Sequence, residues 1–331
     1  MQPVKLNHHE ASRPAFLITI DVEGDNLWAR PKRIDVENAR YLPRFQTLCD
    51  RYGLKPTWLV NYEMAQSPAF VEFAQDLIAR DAGEIGMHLH AWNSPPLVPL
   101  TDDDMLHQPY LIEYPEAVMR EKIHVLTDLL EERFERKIIS HRAGRWGFNS
   151  LYARLLVEHG YQVDCSVTPH LSWAAYPGDP RGAGGPDFRR FPELPYFVDL
   201  DQIDRPGNSL LLETPVSVIQ TTYAGFNERL QSAPCLVQRV VRRFMPPILE
   251  MVPRDKKRNL GQMLAILRHA TDHEWPYVQL ATHSSELMPG ASPFFPTAKS
   301  IDRLYERLET LFSTAAKSFC GMTLRDFRVE F

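Results

Sequence analysis

A short apolar run ending on a polar residue, then a helical pattern, recurs along the 331-residue chain. This rhythm constrains the fold more than any other feature. Residues 15–21 (Ala-Phe-Leu-Ile-Thr-Ile-Asp) are apolar and β-rich, the pattern of a strand buried on both faces of a parallel sheet. A helix is expected to open at Pro43, with Phe45, Leu48, Cys49 and Tyr52 at helical spacing and Gly53 as its stop. Residues 56–61 read as a second strand, and Pro68 opens a second helix that closes near Gly83. A third strand follows over 84–90, then a Pro- and Asp-rich loop and a long amphipathic helix over 116–136. Strands are expected at 137–142, 161–165, 209–213 and 276–282, with Ser150 capping a helix that ends at Gly160. Residues 169–195 read as a long loop, 228–273 as helical, and 298–316 as a closing helix before a short terminal strand. Alternation of this kind implies a parallel sheet with right-handed crossovers. At least seven strands favour a distorted (β/α) barrel over an open doubly wound sheet. One barrel domain over 15–331 is expected, with a leader over 1–14 and a helical insertion at about 228–273.

The chemistry collects at one end of those strands. Asp21, His88, His90, Arg142, Asp164, Glu213 and His283 all stand at or just beyond strand C-termini, where barrel enzymes place their active sites. In Glu84-Ile85-Gly86-Met87-His88-Leu89-His90 the histidines are two residues apart, so on a strand both imidazoles face one side and can grip one cation. Imidazole suits a divalent metal of the zinc type. Asp21, Glu23 and Asp25 supply three carboxylates beside Gly24. Asp21 and Glu23 could divide the duties of metal ligand and proton acceptor, or the acids could simply cap the next helix.

Arg142 lies in Ser140-His-Arg-Ala-Gly-Arg-Trp-Gly-Phe148 and can hold a carboxylate ionised by a bidentate bond, or serve a structural ion pair. Trp146 offers a flat apolar surface on which a sugar can stack, and Trp28, Trp92 and Trp173 add to it. His283 returns to the rim of Asp21 and could protonate a leaving amine; Glu286 is its nearest acid, with a capping role equally open. Glu213 is expected to touch or support substrate. Residues 236–252 are basic and apolar together, fitting a membrane surface or, better, a helix on the barrel broken at Pro246 and Pro247.

Composition narrows the classes. A net charge of −5 gives nucleic acid no purchase, and 44% hydrophobic with 24% charged residues is ordinary for a globular chain. Cys49, Cys165, Cys235 and Cys320 lie far apart with no Cys-x-x-Cys pair, so neither a disulfide framework nor a thiolate site is indicated. No apolar run approaches the ~18 residues that span a bilayer. Residues 1–14 lack the apolar core of a signal peptide, and a cytoplasmic location is expected.

Taken together these motifs resemble the NodB-like polysaccharide deacetylases, carbohydrate esterase family 4, from about Ala15 to Gly290. The resemblance implies a distorted barrel and removal of acetyl groups from glycans with a divalent metal, most often zinc. It implies Asp21 as the base and Glu23 as a metal ligand, here with Val22 between them. His88 and His90 take the two ligand positions, as in branches with His-Leu-His; Trp92 stands where the usual second histidine falls, next to the substrate. Arg142 orients the base, Trp146 and Phe148 line the groove, and His283 assists as the acid. Asp164 to Ser166, or Glu213, answers to the remaining motif. The implied partner is an N-acetylated saccharide, as an intracellular precursor linked to lipid or nucleotide. Rival readings are an amidase of the same fold acting on a small cyclic amide or ureide, a phosphoesterase, and a catalytically inactive glycan-binding barrel.

Overall fold

Strand β1, Ala15–Val22, is buried along its whole length and is paired on both of its edges. Its neighbours are β10 (Tyr277–His283) on one edge and β2 (Thr57–Val60) on the other, both parallel to it. The computed structural model describes residues 13–221, 237 and 247–331. From β2 the sheet continues through β3 (Glu84–Leu89), β4 (Ser140–Ala143), β5 (Val163–Asp164) and β7 (Leu212–Glu213), all parallel, and ends on the antiparallel β6 (Tyr196–Phe197). Strand β2 pairs only with Thr19 to Val22, so β11 (Cys320–Met322) takes the lower part of the same edge, opposite Ala15 to Leu17.

The sheet curls but no continuous ladder closes it. Strands β5 and β7 are two residues each, and Pro215, which has no N–H to give, follows β7. The gap to β10 is bridged instead by irregular bonds. Ser217 N–H donates to the Gln279 carbonyl at 3.3 Å and Ala281 N–H to that of Met251 at 3.1 Å. A separate two-stranded ribbon, β8 (Val218–Gln220) with β9 (Ile248–Glu250), leaves from this seam.

Alternation along β1 sorts its side chains into two environments. Phe16, Ile18 and Ile20 pack outward beneath the helices, while Ala15 and Leu17 face the barrel interior with Leu59, Val163 and Tyr277. Helix Glu116–Phe134 earns its place by an apolar stripe of Met119, Ile123, Leu126 and Leu130, and stops at Glu135, whose φ is 50°. Helix Ala298–Ser318 starts where Thr297 Oγ1 accepts the Ser300 N–H at 3.2 Å.

The bottom of the barrel is stoppered by a helix that the sequence reading missed, Leu324–Glu330. Its Leu324 and Phe327 enter the interior cluster, each contributing roughly 1.5–3 kcal/mol by burial. Its first-turn N–H groups are satisfied from below the sheet, Leu324 by Thr57 Oγ1 and Arg325 by the buried Glu84 carboxylate, both at 3.0 Å.

Several sequence boundaries need correction. The fourth strand begins at Ser140, not at 137, and Asn149 rather than Ser150 caps the helix Ser150–Glu158, accepting the Tyr152 N–H at 2.9 Å. Within the stretch read as helical over 228–273, residues 248–250 are strand β9 and Asn259–Asp272 is helix. Apart from Val237, residues 228–246 lie outside the described residues, as does most of the basic-apolar stretch 236–252. No helix among the described residues is long and apolar enough to cross a membrane. Cys49, Cys165 and Cys320 are free thiols, and Cys235 lies outside the described residues.

Candidate metal centre

Sheet register brings the polar strand ends together. Asp21 stands beside His283 across the β1–β10 pairing, and His88 beside Arg142 across β3–β4. Because β1 runs on through Val22, Asp21 and Glu23 fall on the same, inward face. Ser284 Oγ accepts the Glu23 N–H at 3.1 Å, and Asn38 Nδ2 donates to the Glu23 carbonyl at 2.8 Å, so the ligand candidate rests on a fixed backbone. The end of β4 must pass close over His90: a Cβ on Gly144 would lie 2.5 Å from the Leu89 carbonyl oxygen, which leaves only glycine there.

Glu23, His88 and His90 converge, buried, with one ligand atom each within 4.8 Å of one another. His90 Nε2 is 2.8 Å from His88 Nε2 and 3.0 Å from Glu23 Oε2, and His88 Nε2 is 3.6 Å from the same oxygen. Tetrahedral ligands of one zinc-sized ion sit ~3.4 Å apart, so these three atoms need only small adjustments to share a cation. The His88 Nδ1–H donates to the Arg142 carbonyl at 3.0 Å, which fixes the tautomer with its Nε2 lone pair turned toward Glu23 and His90. His90 Nδ1 is buried without a hydrogen-bond partner among the described residues. Burial, reinforced by His88 and opposed by Glu23, pushes the His90 imidazole down to about 4, so at neutral pH the ring is uncharged and keeps a nitrogen lone pair. Burial alone would raise the Glu23 carboxyl, but the His283, His88 and His90 side chains outweigh it and hold Glu23 well below the usual range. Two imidazoles and an ionised carboxylate are a donor set that fits a divalent cation.

Asp21 is the acid that stays free of this group. Burial would raise its pKa, yet the Arg142 charge prevails and holds it below the ordinary value. Arg142 is wholly buried and divides its donors: Nη1 to Asp21 Oδ1 and Nη2 to Thr19 Oγ1, each at 2.6 Å, and Nε to the Cys165 carbonyl at 3.0 Å. The expected bidentate grip on Asp21 is therefore a single bond, and Oδ2 remains turned toward His283 Nε2 at 3.7 Å. The His283 ring meets Trp28 edge-on at 5.0 Å. Burial would lower its pKa, but Glu23, Glu286 and Asp21 together raise it to about 9. Glu286 caps the turn after β10, accepting from Thr282 Oγ1 at 2.6 Å, and is paired to Arg254 Nη1 at 3.1 Å.

A cavity of about 400 Å³ opens above these groups, and its floor includes Asp21, Glu23, His88, His90 and His283. Trp92, edge-on to His90 at 4.2 Å, and Trp146, 5.1 Å from the Arg142 guanidinium, form part of its wall. Trp146 stacks on Trp173 at 6.0 Å, and Trp28 stands opposite beside His283.

Two expected site residues lie elsewhere, and Asp25 takes the capping role left open for the acids after β1. Asp25 caps the turn at residues 37–41, accepting the Glu37 and Asn38 N–H groups at 3.1 and 3.0 Å. Phe148 is buried against Tyr152 in the helix layer, away from the cavity. Glu213 is not a substrate-side residue. It is wholly buried and accepts the Val167 N–H at 3.1 Å. Burial, with the Asp164 charge adding to it, drives its pKa well above the ordinary value. Asp164 itself binds His141 Nδ1 at 2.6 Å and Ser166 behind β4, so this side of the fold supports the Arg142 strand from outside.

Two supports went unrecognised in the sequence. Lys122, wholly buried, donates to the carbonyls of Ala91, Ser94 and Pro96 at 2.8, 2.6 and 2.7 Å, tying down the loop that carries Trp92. Arg145 donates to the Pro177 carbonyl at 3.1 Å and to that of Gln108, and lies 4.2 Å over the Tyr110 ring.

No protein-family model matches the chain, and no curated protein sequence does. Solved structures do match. A protein of Parabacteroides distasonis described as a glycoside hydrolase/deacetylase superposes with a TM-score of 0.61 at 10% identity, covering 96% of this chain and 70% of its own. A provisionally named polysaccharide deacetylase of Mycobacterium smegmatis gives 0.55 at 13% identity, covering 99% and 94%. The 4-alpha-glucanotransferase of Thermococcus litoralis also gives 0.55 at 13%, over 97% of this chain but 41% of that enzyme. At such identities the likeness concerns the fold, and that fold is the curled, mostly parallel NodB-type barrel anticipated from the strand–helix rhythm.

Proposed function

On this barrel, we propose, the chain is a metal-dependent hydrolase that removes the acetyl group from an N-acetylated sugar of a glycan, or of a lipid-linked or nucleotide-linked glycan precursor. The observation that carries the reading is the convergence of Glu23, His88 and His90 next to an acid that does not join them, Asp21, with His283 across the same floor. Glu23, His88 and His90 would hold the cation, zinc by the character of two imidazoles and one carboxylate. When bound, such an ion supplies Lewis acidity toward water and the acyl carbonyl. Asp21, kept ionised by Arg142, accepts the proton of the attacking water through its free Oδ2. His283, still protonated at neutral pH, gives its Nε2 proton to the departing amine, which leaves poorly without one. Trp92 and Trp146 offer ring faces and edges to the sugar, and the buried Arg142 holds Asp21, Thr19 and the Cys165 carbonyl in place.

The test is acetate release from an N-acetylated oligosaccharide by the wild type and by Asp21→Asn. The reading expects release from the wild type and a loss of roughly 10²–10⁴-fold in the variant. A wild type that binds the sugar but releases nothing would instead mark a glycan-binding barrel.

A further inference from the structure

Above the floor, the cavity carries a charge pattern that acetyl hydrolysis does not require. Three guanidiniums line it: Arg30, Arg145 and Arg254. Apart from Asp21 and Glu23 on the floor, Glu250 is the one carboxylate lining it among the described residues. This bias stands out in a chain whose overall charge is −5. Arg254 is matched by Glu286. Arg145 spends donors on the Gln108 and Pro177 carbonyls but has no carboxylate in salt-bridge contact among the described residues. Arg30 is exposed and forms neither an ion pair nor a side-chain hydrogen bond among the described residues.

The two less encumbered arginines are held in place by their backbone. Arg30 closes the 3-10 turn Leu27–Ala29 with its N–H donating to the Leu27 carbonyl at 3.0 Å, and Arg145 lies in the turn after β4 with its side chain over Tyr110. Arg30 and Arg145 are also close enough to interact: burial lowers the Arg145 pKa and the Arg30 charge adds to it, against the opposing influence of Tyr110 and Glu113. Holding two like charges at one rim is unfavourable unless an anion joins them.

We propose that Arg30 and Arg145, with Arg254 behind them, bind an anionic group on the substrate, so that the preferred saccharide carries a phosphate ester or a carboxylate near its N-acetylated residue. This rests on the deacetylase reading for the sugar but not for the charge. A guanidinium takes either oxyanion through paired N–H donors.

The test is calorimetric binding to full-length protein in the Asp21→Asn background, which prevents turnover. The probes are neutral N,N′-diacetylchitobiose, N-acetylglucosamine 1-phosphate, and a disaccharide of N-acetylglucosamine with glucuronic acid. At least one charged probe is expected to bind about tenfold or more tighter than the neutral one, and which one does so identifies the anion. Adding Arg30→Gln should collapse that ratio toward one, and Arg30→Lys should restore part of it. Equal binding of all three probes, or a preference undiminished by Arg30→Gln, overturns the proposal. Acetate release from the three probes by the wild type reports separately on the deacetylase reading. Its absence from all of them beside an intact charge preference would sink that reading and leave the anion site standing.

Discussion

Val22 is what makes a working pair of Asp21 and Glu23. Adjacent acids on an extended strand face opposite ways, whereas one intervening residue sends both carboxylates inward, one to Arg142 and one to the histidines. The same period of two made His88 and His90 legible as a pair in the sequence. The proton inventory of this floor leads to a pH prediction. His283 must be protonated to act as the acid, and its pKa is raised to about 9, so the proton is held below that pH and lost above it. Deacetylation should stay fast through neutrality and fall about tenfold per unit of pH above 9, and His283→Gln should remove this limb while lowering the rate roughly 10²-fold or more. A pH–rate profile of both proteins checks it; a descending limb unchanged in the variant would assign the acid to another group. The roles of Asp25 and Glu213 stayed open in the sequence because position at or after a strand end does not reveal direction. Asp25 turns back to cap a 3-10 turn, and Glu213 is drawn to a backbone N–H behind β5.

At the scale of elements, long periodic segments were easy to read and short ones were not. Helices Glu116–Phe134 and Ala298–Ser318 each carry a long apolar stripe, so their existence follows from spacing. Strands β5, β7 and β9 have two or three residues and no period to detect, and the stretch around β9 was read as helix because its apolar and basic residues fit both templates. The helix Leu324–Glu330 is one of the shorter elements too, but its Thr323 cap and the Leu324–Phe327 spacing were signals that could have revealed it. Lys122 is the more telling omission. It interrupts the stripe of Met119, Ile123 and Leu126 at a core position, where a lysine survives only with fixed acceptors. Its three carbonyl acceptors all belong to the loop after β3, so Lys122→Met should leave them unsatisfied. A loss of roughly 2–4 kcal/mol in denaturant unfolding is expected, with weakened metal retention as the loop behind His90 loosens. Unchanged stability and metal retention in the variant would show that the loop holds itself.

The whole molecule is a curled sheet stoppered at one end by its terminal helix and open at the other onto a cavity of about 400 Å³. Fold class was legible because each βα unit repeats the same pattern and right-handed crossovers leave few alternatives. The incomplete closure was not, since it depends on Pro215 and on irregular bonds from Ser217 and Met251 to β10. Under the proposed function, an ion held by strand ends from two separate βα units would turn this scaffold into a hydrolase. Elemental analysis of the purified protein is the most direct measurement of that claim. The wild type should carry about one equivalent of divalent metal, zinc foremost, and Glu23→Ala and the double variant His88→Ala, His90→Ala should each retain under about a tenth of an equivalent while remaining folded. A full equivalent of metal still bound in the folded double variant would place the ion elsewhere and contradict the account.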